Sequence, residues 1–277
     1  DLDGFADLCD AIQPGLAKLP ADTTFGVASH SLRAVAPDSF AATRALAKGG
    51  PYHVHLAEQL AEVEEVKQHL GARPVEWVLN NMEIDDSCCF IHCTQMQPHE
   101  IQGLAKSGAI AGLCPITEAS LGDGIFEGVR WLDYGGAIAI GSDSNIRISL
   151  SEEIRTLEYS QRLRDRSRAV LASDDKSTGR RIFDEIVNGG ANAAGRKTGK
   201  ISVGYWADFL ALDSNAINLA SYEDDTVLDI FVFAGDDLLV NDVWSAGRHL
   251  VKNGRHINHD SLANTYLKTL CSISKNI

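Results

Sequence analysis

Five short apolar runs in this 277-residue chain are each followed by a polar residue with chemistry to offer, and the pattern restricts the folds available to it. The runs cover residues 25–29, 52–54, 88–91, 109–114 and 137–141, and they lead into His30, His55, His92, Glu118 and Asp143. Between them lie helical patterns. After a Pro-Asp start at Pro37–Asp38 a helix is expected to Ala47, where Gly49-Gly50 stops it. Leu60, Val63, Val66 and Leu70 recur at helical spacing, and 74–81 and 98–107 read as two further helices. The segment 149–172 reads as one long helix. Strands alternating with helices imply a parallel sheet with right-handed crossovers, so the polar residues ending successive strands share one rim. In a β/α barrel that rim is where catalysis sits.

Five βα units are visible and a closed barrel needs eight. Either the sheet is open and doubly wound, or three units precede residue 1. The opening DLDGFADLCDAI reads as the middle of a helix and favours the second expectation. From Ile201 the texture changes to short β-rich runs (ADFLALD, VLDIFVFAG, LLVNDVWSAG, RHLVKNGRHI), with an Asn253-Gly254 hairpin turn. The expected division is 1–200 barrel, 201–258 a small β-domain, and 259–277 a closing helix and tail.

A net charge of −13 argues against nucleic acid or an anionic membrane as the main partner, while leaving room for a small anionic substrate in a locally basic pocket. No apolar stretch reaches membrane-spanning length and no signal region opens the chain, so a cytoplasmic protein is expected. The six cysteines have no zinc-ribbon spacing, and four in or beside buried-looking strands read as small core residues in a reducing compartment.

His55 and Glu58 form an H-x-x-E step just past a strand. Imidazole and carboxylate ligands with an open position let a divalent ion acidify water, and a nearby glutamate can then move protons. Alone, the step is a weak signal, and two solvated residues opening a helix is the better reading of it. His92 in FIHCT stands at the equivalent place one unit later, where a structural histidine is the commoner occupant. Asp143 in AIAIGSDSN is the strongest candidate, although a turn or helix cap that Ser144 or Asn145 could also supply competes with a metal role. His30 and Arg33 in SHSLRAV offer a carboxylate-binding fork, against the alternative of a surface arginine among 38 acidic residues. Thr117 and Glu118, in the Gly-rich CPITEASLGDGIF, are as consistent with a structural turn as with ligand contact. His53 makes an H-x-H with His55 but is treated as non-catalytic.

HVHLAE, FIHC, AIGSDSN and the stretch 189–213 together resemble the amidohydrolase superfamily, in particular its mononuclear zinc deaminases. SHSLRAV, HLAEQ and CPITEASLGDGIF are similar to the branch that deaminates N-formimino-L-glutamate in histidine degradation. The resemblance covers nearly the whole chain from about Phe25. It implies an α/β fold: the C-terminal five βα units of a metal-dependent (β/α)8 TIM barrel, strands 4 to 8, followed by part of a β-sandwich. It further implies one divalent metal, Zn2+ the expected ion, with His55 and Asp143 as ligands. Glu58, His92 and Asp143 become the catalytic groups, and His30 and Arg33 the holders of a small anionic, amino-acid-derived substrate. A homodimer is a family expectation. The family's first-strand H-x-H has no counterpart here, so two of four ligands are absent and the fragment alone is expected to be inactive and to bind zinc weakly. An aminated-heterocycle deaminase, iminohydrolysis to formamide and a metal-free scaffold remain the alternatives.

Overall fold

The computed structural model describes residues 1–143 and 147–274. Helix α1 (Leu2–Leu16) opens the described chain, with the Asp1 carboxylate accepting the Gly4 amide at 2.8 Å. Strand β1 (Val27–Ser31) follows, then a 3-10 turn at Pro37–Ser39 that runs into α2 (Phe40–Leu46). The remaining α/β units are β2 (Tyr52–Leu56) with α3 (Leu60–Leu70) and α4 (Pro74–Asn81), and β3 (Cys88–His92) with α5 (Pro98–Lys106). Strand β4 (Ile110–Leu113) leads to α6 (Pro115–Leu121) and α7 (Gly128–Asp133), and β5 (Ala137–Ile140) to α8 (Leu150–Asp165) and α9 (Thr178–Ala193). Three of the five polar residues stand at strand ends, as the sequence implies, and Glu118 does not. His30, His55 and His92 lie within the last residues of β1, β2 and β3. Glu118 belongs to α6, because the Gly-rich link folds as a helix that stops at Gly122 in the left-handed conformation.

The five strands pair in parallel in the order β1-β2-β3-β4-β5. A doubly wound sheet reverses its order at a switch point; this one does not, and its order is that of a barrel wall. Register fixes the faces. His53, Cys89, Ile110 and Ala137 form one lateral row, and His55, Ile91, Gly112 and Ala139 the next, on the same side. The opposite side carries Tyr52, Val54, Leu56, Phe90 and Leu113, all buried in the main apolar core beneath the helices. Helix α9 approaches β5 so closely that a Cβ on Gly189 would lie 2.0 Å from the Ile138 carbonyl, which is why glycine stands there.

Two elements depart from expectation. Helix α8 ends at Arg166, left-handed with φ 53°, and does not continue to Ala172. Buried Glu158 fixes the turn by accepting the amides of Val170 and Leu171 at 2.9 and 3.0 Å. The run VLDIFVFAG is not a strand. It forms α10 (Thr226–Phe233), because a short apolar run interrupted only at Asp229 carries no period that separates a buried strand from a buried helix. Arg155 closes its carboxyl end on the carbonyls of Val232 and Gly235 at 2.7 and 2.6 Å.

A second, antiparallel sheet is built from β6 (Phe209–Leu212), β7 (Val240–Ser245), β8 (Arg248–Lys252) and β9 (Arg255–His256), in that order. The expected Asn253-Gly254 turn joins the last two, with φ of 50° and 71°. Buried Asp22, ahead of β1, takes Arg248 of this sheet in a two-pronged bond of 2.7 Å each and also pairs with Arg196 at 2.9 Å. Helix α11 (His259–Ser274) ends the described chain, and no helix among the described residues is long and apolar enough to cross a membrane.

Candidate active site

The carboxyl ends of β2, β3 and β5 share an unusual backbone. Ala57, His92, Cys93 and Asp143 all have positive φ (51°, 73°, 52° and 49°), a region that costs a residue with a Cβ about 1–2 kcal/mol. At His92 the effect on aim is direct. His92 pairs with Leu56, whose side chain faces the helices, so strict alternation would send the imidazole into the core. The left-handed turn takes it out of register, and its ring stacks on His55 instead, with centroids 5.7 Å apart. The strained turns are held by hydrogen bonds. Buried Glu62 accepts the amides of Ala57 and Glu58 at 2.9 and 2.7 Å, while Cys93 N–H donates to Leu56 O and Gln95 N–H to Ala57 O.

His55 directs Nδ1 at the His30 carbonyl, 2.8 Å away. A carbonyl can only accept, so Nδ1 carries the proton and Nε2 is left with a lone pair suited to a metal. His53 directs its Nε2 at the Ala193 carbonyl, 2.8 Å away. His92 is 1% exposed. Its Nδ1 meets Glu118 Oε1 at 3.2 Å, and its Nε2 lies 3.8 Å from Glu58 Oε1 and 4.0 Å from Asp143 Oδ2. Burial opposes charge on this imidazole, but the Glu118 hydrogen bond and the charges of Glu58, Glu118 and Asp143 outweigh it, and its pKa is raised. Glu58 is also raised, by burial first and by Asp123 and Glu62, against the pull of His92. Two groups poised to share a proton thus stand within one side chain's reach of each other.

His30 and Arg33 lie further out. The His30 ring is 5.0 Å from that of His55, and His30 and Arg33 line a cavity of about 920 Å³ with Glu65 and His69. Arg33 Nε is paired with Glu65 at 2.8 Å, both partners well exposed. This is the surface ion pair that competed with a substrate role, so a bound carboxylate would have to displace or share that partner. Thr117 Oγ1 is buried without a hydrogen-bond partner among the described residues. Residues 144 and 145, the alternative cap suppliers, lie outside the described residues.

A family model for the amidohydrolase family matches residues 2–250. The chain belongs to the amidohydrolase family. It is 44% identical over 252 residues to formimidoylglutamate deiminase of Pseudomonas aeruginosa, covering 90% of this chain and 56% of that protein. The crystal structure of an amidohydrolase from Brucella melitensis superposes with a TM-score of 0.93 at 42% identity, covering 98% of this chain and 60% of that one. An adenosine deaminase from Xanthomonas campestris, solved with bound zinc, shares the fold at TM-score 0.80 and 24% identity, over 91% of this chain and 57% of that one. The chain therefore spans little more than half the length of these relatives.

Three residues close to these groups carry no assigned role in the sequence reading. Glu62 sits on the first turn of α3, where a carboxylate can reach back to amides preceding the helix, and that position was a usable signal. Glu118 was left undecided, since nothing in a linear sequence shows that α6 returns it to His92. Cys114 was read as a core thiol. One ligand atom each from Cys114, His92 and Asp143 in fact lies within 4.8 Å of the other two.

Proposed function

We propose that the full-length protein is a zinc-dependent deiminase that hydrolyses N-formimidoyl-L-glutamate to N-formyl-L-glutamate and ammonia, a step of histidine degradation. The observation that carries this reading is the 44% identity to a formimidoylglutamate deiminase over 90% of the chain. The donor set fits a single divalent ion: His55 offers a bare Nε2, and Asp143 a carboxylate beyond β5. The resemblance implies two further histidines from an H-x-H that residues 1–277 do not contain besides the one at His53-Val54-His55. When bound, the ion supplies Lewis acidity and lowers the pKa of a coordinated water toward neutrality.

This chain's own groups then divide the proton work. Asp143 accepts the proton of the attacking water. Glu58, its carboxyl raised by burial, delivers a proton to the imino nitrogen. His92, oriented through Nδ1 by Glu118, turns Nε2–H toward the water-derived oxygen and stabilises the tetrahedral intermediate. Asp143 passes the proton it took from water to the same nitrogen, Glu58 recovers the hydroxyl proton, the bond from the formimino carbon to that nitrogen breaks, ammonia leaves, and the formyl carbonyl stays on glutamate. His30 and Arg33 bind the substrate carboxylate, a local basic group on an acidic protein. The same reading takes 1–200 as part of a closed (β/α)8 barrel, 201–258 as part of the sandwich and 259–277 as the tail, in a cytoplasmic homodimer.

The test is ammonia release by the full-length protein from formimidoylglutamate, guanine and adenosine derivatives in parallel, with the one-carbon product identified. Turnover of the acyclic substrate alone, yielding the formyl product, is expected. Formamide, or preference for a ring substrate, would reject the assignment. Glu58→Gln should lower kcat by about 10²–10⁴-fold with metal content intact.

A further inference from the structure

Of the thiols in this chain, Cys114 is the one whose sulfur takes part in a candidate metal cluster among the described residues. It follows β4 directly, while His92 ends β3 and Asp143 lies just past β5, so three neighbouring strands supply the three groups. A ligand atom from each lies within 4.8 Å of the other two. Glu118 occupies His92 Nδ1, so the nitrogen His92 presents is Nε2, 4.0 Å from Asp143 Oδ2. Cys114 is 5% exposed, and its sulfur makes no hydrogen bond to any described residue. Gly141 leaves one flank of that sulfur open, since a Cβ there would touch it at 3.6 Å.

Imidazole nitrogen, thiolate sulfur and carboxylate oxygen make a borderline-soft set that suits tetrahedral Zn2+ or Cd2+ with a water in the fourth position, and disfavours Mg2+ or Ca2+. Metal–ligand bonds of about 2.0–2.3 Å require donors roughly 3.5 Å apart, so a closure of roughly 1 Å would seat all three on one ion. The place also differs from the single-ion site proposed above. His55 belongs to β2, on the other side of His92 from β4 and Cys114.

We propose that His92 Nε2, Cys114 Sγ and the Asp143 carboxylate form a second, weaker site for a thiophilic divalent cation, filled when metal is in excess. Binding expels two protons per ion to solvent, one from the thiol and one from His92 Nε2. Resting on the deiminase reading, the consequence is inhibition, because the second ion takes the nitrogen with which His92 would serve the reaction and draws on Asp143.

The experiment titrates Cd2+ into full-length protein already holding its first metal equivalent, in a Cys271→Ala background that removes the exposed thiol. A near-ultraviolet thiolate-to-metal charge-transfer absorption is expected to grow with the second equivalent and to vanish in Cys114→Ser. Mg2+ should give none. Absence of the absorption in the parent, or its persistence in Cys114→Ser, overturns the site. Should a buried hydroxyl unsettle the fold, Cys114→Ala gives the same reading. In the activity arm, the inhibitory Cd2+ concentration should rise at least tenfold in Cys114→Ser, and equal inhibition refutes the silencing of His92. If the absorption behaves as expected but no substrate is deaminated, the metal site stands and the deiminase assignment falls.

Discussion

Glu153 is a carboxylate that the fold holds against its ordinary chemistry, and it allows a quantitative test of the electrostatics beneath the site. It lies in the first turn of α8, 1% exposed, with Oε2 accepting the Ile116 amide of α6 at 2.8 Å. Its Oε1 has no hydrogen-bond partner among the described residues. Burial pushes its pKa from 4.5 up to about 7, with Glu118, Glu152 and Asp143 adding to the rise and the Ile116 amide opposing it. An unfolded glutamate titrates near 4.3. Between those values the folded chain holds a proton that the unfolded chain has released, so stability falls as pH rises from about 4.5 through 7. With allowance for solvent screening at the α6–α8 boundary, full ionisation above that range costs the fold about 1–3 kcal/mol. Glu153→Gln keeps the shape and the acceptor for Ile116 but cannot ionise. The assay is thermal unfolding of both proteins at pH 5 and pH 8. The Tm of the variant relative to the parent should be higher at pH 8 than at pH 5 by about 3–10 °C. An equal difference at the two pH values, or a larger one at pH 5, would show that Glu153 is not protonated by its surroundings.

Gly189→Ala sets a methyl group 2.0 Å from the Ile138 carbonyl and should cost about 2–5 kcal/mol, read as a large loss of Tm; an unchanged Tm would contradict the close packing of α9 on β5. Glu62→Ala strips the buried amides of Ala57 and Glu58 of their acceptor, at about 1–3 kcal/mol each. In the full-length protein its kcat should fall more than KM rises, whereas lost stability with normal kcat would confine Glu62 to the fold. Arg33→Ala should raise KM for formimidoylglutamate about tenfold or more with little change in kcat. Glu65→Ala, which frees the Arg33 guanidinium from its 2.8 Å pair, should lower KM, and the opposite sign would place the carboxylate elsewhere.

The sheet was legible in the sequence because five apolar runs alternate with helical spacing, and the Asn253-Gly254 hairpin because that dipeptide suits a turn needing two left-handed residues. Residues 226–233 were misread as a strand, since eight nearly unbroken apolar positions satisfy either structure until packing against α8 and α9 decides. Around the candidate site, His55, Glu58, His92 and Asp143 could be singled out by their places after apolar runs. What the sequence could not show was how alternation is broken. Parity alone would have buried His92 among the helices, and its turn toward His55 depends on left-handed backbone that no residue type there advertises. The reach of Cys114 and Glu118 into the same space likewise needs the path of α6, which a Gly-rich stretch conceals.

Those four left-handed positions have a bearing on how such a protein could be made hardier. Glycine at 57 or 93 would relieve a conformational cost that alanine and cysteine now bear, so a screen for heat resistance would be drawn to these sites early. The same change would hand back freedom to the peptide units that point Glu58 and His92, and a gain in melting temperature there would be traded directly against turnover.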